Sequence, residues 1–215
     1  REDPRPYLAL LDAVIDAQAS LVARWKLIGF IHWVMNTDNT SICGETIDYG
    51  PCAFMDSYDP STVYSSIDHG GRYAYANQAP IAHWNLAGFA QTLIPLIDTD
   101  SAQSLELAQD RVNTFPAKFE MAYNEGAREK LGLEMSKQSD STLMEELLAT
   151  MADNQADFTL VFRRLSRLVR DDDSADDAVR ELFKDPAAFD RWAVQGRARI
   201  RHESWGDLAL RPQKP

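Results

Sequence analysis

The sequence predicts a mainly α-helical fold interrupted early by a small polar β-hairpin. Three observations carry that expectation. Apolar residues recur with a period near 3.6 over most of the chain. The stretch "NTDNTSICGETIDYGP" at 36–51 breaks that rhythm with short apolar runs between turn formers. With 215 residues, 45% of them hydrophobic and 10% aromatic, the chain is long enough and apolar enough to bury a sizeable core.

The elements follow in order. From residue 6 to about 30, Leu8, Leu11, Ile15, Leu21, Val22, Trp25 and Ile28 lie on one helical face, with Pro4 and Pro6 as start signals and Gly29 as the stop. Residues 40–43 and 46–48 are short enough to be two strands joined through Gly44, and Gly50 with Pro51 ends the second. Residues 52–77 mix Asp, Ser, Pro, Gly and Tyr without periodicity. Their aromatics predict an ordered loop packed by Tyr49, Phe54, Tyr58, Tyr73 and Tyr75. Helices are then predicted over 79–97, 101–113, 116–131, 141–153, 156–169, 174–184 and 187–201, punctuated by Pro116, Gly126, Gly132 and Pro186. His83 and Trp84 fall among apolar neighbours in the first of these and are expected to pack in the core.

Charge and cysteine content exclude several classes. The 33 acidic and 22 basic residues give a net charge of -11, which disfavours nucleic acid and anionic membranes as partners. Arg163, Arg164, Arg167 and Arg170 recur at helical spacing, but Asp171 to Asp173 follow at once, so they read as a solvated face. Cys43 and Cys52 lack zinc spacing and are too few for a disulfide scaffold, and a reducing, cytoplasmic compartment fits them. They are expected to be small buried side chains, with a redox pair across the hairpin as the alternative. No apolar run in the sequence reads as a membrane span or a signal peptide. Both ends, "REDPRPYLALL" and "RPQKP", are abrupt, as in a fragment of a longer protein.

The hairpin gathers Asp38, Asn39 and Asp48, and two readings are open: a polar loop, or a metal site that holds phosphates. Phosphoryl and nucleotidyl transfer need divalent cations, and magnesium takes one or two protein oxygens beside water and substrate. In protein kinases a catalytic loop of His-Arg-Asp is followed by a metal-binding Asn, and an Asp-Phe-Gly turn comes after a short hairpin. Here "HWVMNTDN" has that length, with His32 first and Asn39 last, and "DYG" at 48–50 stands where Asp-Phe-Gly would. Val34 occupies the place of the kinase's catalytic Asp and cannot accept a proton. Asp38 offers a carboxylate from a different position.

The runs "GFIHWVMNTDNTSICGETIDYGPCAFMDSYDP" at 29–60, "SSIDHGGRYAYANQ" at 65–78 and "WNLAGFAQTLIPLI" at 84–97 closely resemble the selenoprotein O family. Members of that family are similar to protein kinases in fold, as pseudokinases, but act as protein adenylyltransferases. The resemblance implies a kinase-like C-terminal lobe over 1–215, with the motifs in 1–98 and a helical extension in 99–215. It implies that Asp38 accepts the proton of a Ser, Thr or Tyr hydroxyl on a protein substrate. Asn39 and Asp48 would hold Mg2+ or Mn2+, with Asp48 also near the phosphates of ATP. The family usually has Gly where this chain has Trp33. Its glycine-rich loop, ATP-contacting lysine and glutamate partner belong to an N-terminal lobe expected to be missing here, and its C-terminal redox-active cysteine or selenocysteine is not found.

Two other functions stay open on the residues alone. One is a helical interaction module that binds no nucleotide. The other is a metal-dependent hydrolase, which requires Asp38, Asp48, Asp68 and His69 to converge; "DHGGRY" at 68–73 otherwise reads as a structural or substrate-facing loop.

Overall fold

The computed structural model describes residues 4–50, 52–167, 176–201 and 203. Pro51, Arg170, the acidic run Asp171 to Asp173 and the C-terminal "RPQKP" lie outside them. The chain divides into two compact units: residues 1–26, 30–54 and 61–123 form one, and residues 27–29, 55–60 and 124–215 form the other.

The first unit is built on helix α1, Pro6–Leu27. Its stripe of Leu11, Ile15 and Val22 is completely buried, as the period of 3.6 requires. By length and composition α1 could cross a membrane, contrary to the sequence expectation, but this stripe is the spine of the core and half of the apolar window is buried against protein. Gly29 then turns the chain at φ +71°, a conformation that costs a residue without Cβ nothing. Strand β1, Phe30–Ile31, pairs antiparallel with β2, Ala53–Phe54, in the register Phe30 with Phe54 and Ile31 with Ala53. Helix α2, Gln78–Ile97, and helix α3, Ser101–Val112, supply the rest of this core through Ile81, Leu86, Ala90, Leu93, Ala108 and Val112. The Asp100 carboxylate caps α3 by accepting from the Ala102 and Gln103 N–H groups.

The expected hairpin over 40–48 is not formed. The segment is held instead by side chains of α1: Gln18 Nε2 donates to the Ser41 carbonyl at 2.6 Å, and Trp25 Nε1 donates to the Thr46 hydroxyl oxygen at 2.9 Å. Gly44, at φ +70°, sits so close to α1 that a Cβ would stand 2.7 Å from the Ala17 Cβ. Ile42 and Ile47 are left exposed, so no apolar face existed to hold two strands together. The ladder that does form brackets this loop from outside.

Helix α4, Phe115–Lys130, runs from the first unit into the second. The second unit holds α5, Asp140–Asn154, α6, Phe158–Leu165, α7, Asp176–Arg180, and α8, Pro186–Ile200. Leu147, Met151, Val161, Val179 and Phe189 are fully buried in it. The helix predicted over 156–169 ends at Leu165, and that over 174–184 at Arg180, where turns take over. Arg163 and Arg167 are exposed as expected, while Arg164 donates to the Ala178 carbonyl and lies 3.5 Å from Glu181. Arg199, 7% exposed, is clasped by Asp140, Glu203 and the Met135 carbonyl.

Candidate active site

The site begins where β1 leaves the ladder. His32 is buried, with its ring stacked on Trp25 at 5.1 Å and edge-on to Phe30 at 6.2 Å. Its Nε2 lies 2.7 Å from the Ile47 carbonyl oxygen. A carbonyl only accepts, so Nε2 carries the hydrogen and Nδ1 is left without a partner. This bond ties the loop after β1 to the peptide just before Asp48.

Trp33 follows at φ +75°, in the left-handed region where a bulky side chain is strained. The strain coincides with the position at which the resembling family has Gly. The indole is held edge-on to Tyr64, with ring centroids 6.0 Å apart, and Tyr64 donates to the Phe54 carbonyl. Residues Thr37–Asn39 form one 3₁₀ turn, closed by the Asn39 N–H donating to the Asn36 carbonyl at 3.0 Å. Asp38 is exposed on this turn. Asn39 is half-buried, and its Nδ2 donates to the Val34 carbonyl at 3.1 Å, so Oδ1 is the atom left to serve as a ligand. Asp48 is exposed at φ +54°, a conformation that Asp adopts more readily than most residues. Hard oxygens from an amide and a carboxylate suit Mg2+ or Mn2+, which keep most of their coordination for water and phosphate.

Helix α2 provides anchors that sequence reasoning missed. Gln78, fully buried, accepts from the His32 N–H at 3.0 Å and donates from Nε2 to the Phe30 carbonyl at 2.9 Å. These groups lie on the edge of β1 opposite β2, so a side-chain amide stands in for a third strand. Asn85, one helical face further on and 3% exposed, donates from Nδ2 to the Met35 carbonyl and to Thr40 Oγ1, both at 3.0 Å. A signal existed: two amides seven apart, with Ile81, Ala82 and Leu86 around them, interrupt an otherwise apolar stripe.

The other sequence candidates fall elsewhere. Asp68 accepts from the Arg72 and Tyr73 N–H groups, each at 2.8 Å, so its carboxylate shapes the loop; His69 is exposed. Among the described residues no three His, Cys, Asp or Glu side chains are grouped to hold a metal, so the four hydrolase residues do not converge. Tyr73 donates to Asn36 Oδ1, which moors the "DHGGRY" loop to the segment that leads to Asp38 and Asn39. Trp84 is not a core residue: it is 56% exposed, and the Arg72 guanidinium lies 4.9 Å above it. His83 is half-buried and stacks on Phe115. Of the loop aromatics, Tyr58 and Tyr75 are buried as expected and Tyr73 is half-buried, while Tyr49 and Phe54 are exposed. Both cysteines are free thiols: Cys43 is exposed, against expectation, whereas Cys52 is half-buried and packs against the core. Beneath the site, Lys26 donates to the Tyr75 carbonyl, and burial pushes its ammonium down to about 8.

A family model described as protein adenylyltransferase SelO matches residues 1–206. The chain is 53% identical over 224 residues to a protein nucleotidyltransferase YdiU of Methylorubrum extorquens (strain PA1), covering 99% of this chain and 45% of that protein. It is 54% identical to a YdiU of Rhodopseudomonas palustris (strain HaA2), covering 97% of this chain and 42% of that one. A YdiU of Bradyrhizobium diazoefficiens is 57% identical, with 93% and 40% covered. The chain thus spans less than half the length of these relatives.

Proposed function

The chain belongs to the SelO family of protein adenylyltransferases, and on that footing we propose that it supplies the catalytic and metal-holding part of a protein nucleotidyltransferase. The reaction is transfer of AMP from ATP to a Ser, Thr or Tyr hydroxyl of a second protein. The hydroxyl oxygen bonds to the α-phosphorus, the bond to the bridging oxygen breaks, pyrophosphate leaves, and Asp38 takes the hydroxyl proton. The exposure of Asp38 suits a group that must reach a side chain on another protein.

Asn39, through Oδ1, and Asp48 are the residues that would hold Mg2+ or Mn2+, and Asp48 would stand next to the nucleotide phosphates. A cation bound there would neutralise charge on the phosphates and on the departing pyrophosphate. The protein's own part is mostly to position these groups before the reaction begins. The observation that supports the reading is the His32 bond to the Ile47 carbonyl, which ties the start of the segment leading to Asp38 and Asn39 to the residue before Asp48.

We take the chain as a kinase-like C-terminal lobe with residues 1–98 around the chemistry and 99–215 as a helical extension. It would act with a nucleotide-binding lobe, and the greater length of its relatives leaves room for one. The thiols of Cys43 and Cys52 fit a reducing, cytoplasmic setting.

The test is to incubate the full-length protein with Mn2+ and ATP labelled at either the α or the γ position. Label from the α position retained on protein supports nucleotidyl transfer. Label retained only from the γ position indicates a kinase, and no retained label from either overturns the reading.

A further inference from the structure

The two buried amides of α2 reach both loops that bear the proposed ligands. Asn85 holds the Met35 carbonyl and Thr40 Oγ1, which bracket residues 36–39 on either side. Gln78 holds the backbone of His32, whose ring in turn holds the Ile47 carbonyl one residue before Asp48. Thr37 also rests on this helix, its Cγ2 lying 3.8 Å from where a Cβ on Gly88 would stand. The turn that bears Asp38 and Asn39 has few bonds of its own: two backbone bonds, Asn39 N–H to Asn36 and Thr40 N–H to Thr37, the Asn39 amide on the Val34 carbonyl and the Thr40 hydroxyl on the Asn36 carbonyl.

We propose that Gln78 and Asn85 are positioning residues that set two proposed ligand loops from one rigid helix, Asn85 acting on Asp38 and Asn39, and Gln78 acting through His32 on Asp48. This rests on the metal-dependent transfer proposed above and adds to it a mechanical origin for the site. A short loop with few internal bonds samples many arrangements, whereas a helix buried in a core does not. Transmitting the rigidity of α2 through hydrogen bonds of about 3.0 Å therefore pre-organises the oxygens before a cation arrives. The burial of both amides gives the bonds their directionality. Neither can swing into water, and each would leave backbone groups unpaired if lost.

The division of labour separates the two residues experimentally. In the full-length protein, Gln78→Met and Asn85→Leu keep side-chain size while removing the hydrogen bonds. Three readouts are taken on each: Mn2+ binding by titration, steady-state transfer, and amide hydrogen exchange over residues 30–48. Gln78→Met is expected to raise the Mn2+ dissociation constant roughly 10-fold or more, the scale on which groups supporting metal ligands act. It should also speed exchange at the His32 amide. Asn85→Leu is expected to lower kcat by a similar factor with a smaller change in KM for ATP, and to speed exchange over residues 36–40.

Gln78→Met paired with His32→Ala should be non-additive in Mn2+ binding, because both break one chain of contacts. Should Gln78→Met not fold, Asn85→Leu with Asn85→Asp carries the test. Folded variants with unchanged Mn2+ affinity and kcat overturn the positioning role while leaving the transfer reading intact. Lost Mn2+ binding in the variants of a protein that never transfers AMP would do the reverse. An unaltered protein that binds no Mn2+ overturns both.

Discussion

His32 and Ile47 are joined by a single bond, ring Nε2 to main-chain oxygen at 2.7 Å, which ties the residue after β1 to the residue before Asp48. The ring is 1% exposed and packed on Trp25, so it cannot turn away without opening a cavity. His32→Ala should therefore lower stability by about 3 kcal/mol, combining lost packing with an unpaired carbonyl. Urea unfolding of the purified variant measures this, and a loss below about 1 kcal/mol would mean that the bond is dispensable.

Trp33 allows the backbone and side-chain contributions of one residue to be separated. Trp33→Ala and Trp33→Gly both remove the ring from Tyr64, but only glycine relieves the φ of +75°. Trp33→Gly should be more stable than Trp33→Ala by about 1 kcal/mol. Equal melting temperatures would show that the loop relaxes out of the left-handed conformation once the indole is gone.

Asp38→Ala in the full-length protein should abolish AMP transfer while largely sparing nucleotide binding, whereas Asp48→Ala should weaken both. Radiolabel transfer and equilibrium nucleotide binding distinguish the two. Unchanged turnover in either variant removes the role assigned to that residue. On the proposal that the chain acts with a separate nucleotide-binding lobe, the 215 residues alone should label themselves weakly or not at all.

Acid sensitivity should concentrate on Arg199. Burial alone would raise the Asp140 and Glu203 carboxyls, but the Arg199 guanidinium and backbone N–H groups outweigh it and hold both below their ordinary values. Their contribution to stability is thus complete above the ordinary carboxylate range and is lost as pH falls through the lowered folded values. Arg199→Leu takes the shared guanidinium away from two buried carboxylates and should cost about 3–5 kcal/mol at neutral pH. Urea midpoints followed from neutral pH into acid should fall for the unaltered chain and follow a flatter course in Glu203→Gln.

The helices were legible because burial imposes a period that the residues display, as in the Leu11, Ile15 and Val22 stripe of α1. Residues 40–48 were misread as a hairpin because Thr, Ile and Cys favour extended backbone whatever they pair with, and here the partners are Gln18 and Trp25 on a distant element. Asp38, Asn39 and Asp48 stood out through spacing and resemblance alone. Gln78 and Asn85 did not, since a polar residue within a helical pattern reads as solvent-facing until the backbone it holds is seen. Trp84 was misplaced for the opposite reason: an indole can lie on the surface when a guanidinium covers its face.

The segment from Ser41 to Thr46 is pinned at both ends to α1, with Gly44 pressed on Ala17 between the pins. The helix therefore acts as a splint whose fixed rise spaces the pins. An insertion here can bulge only toward solvent, on the side where Ile42, Cys43 and Glu45 are exposed, if Ser41 and Thr46 are to stay held. The separation of Ser41 from Thr46 is thus set by the helix beneath them, and a change of loop length would be taken up on the outer side.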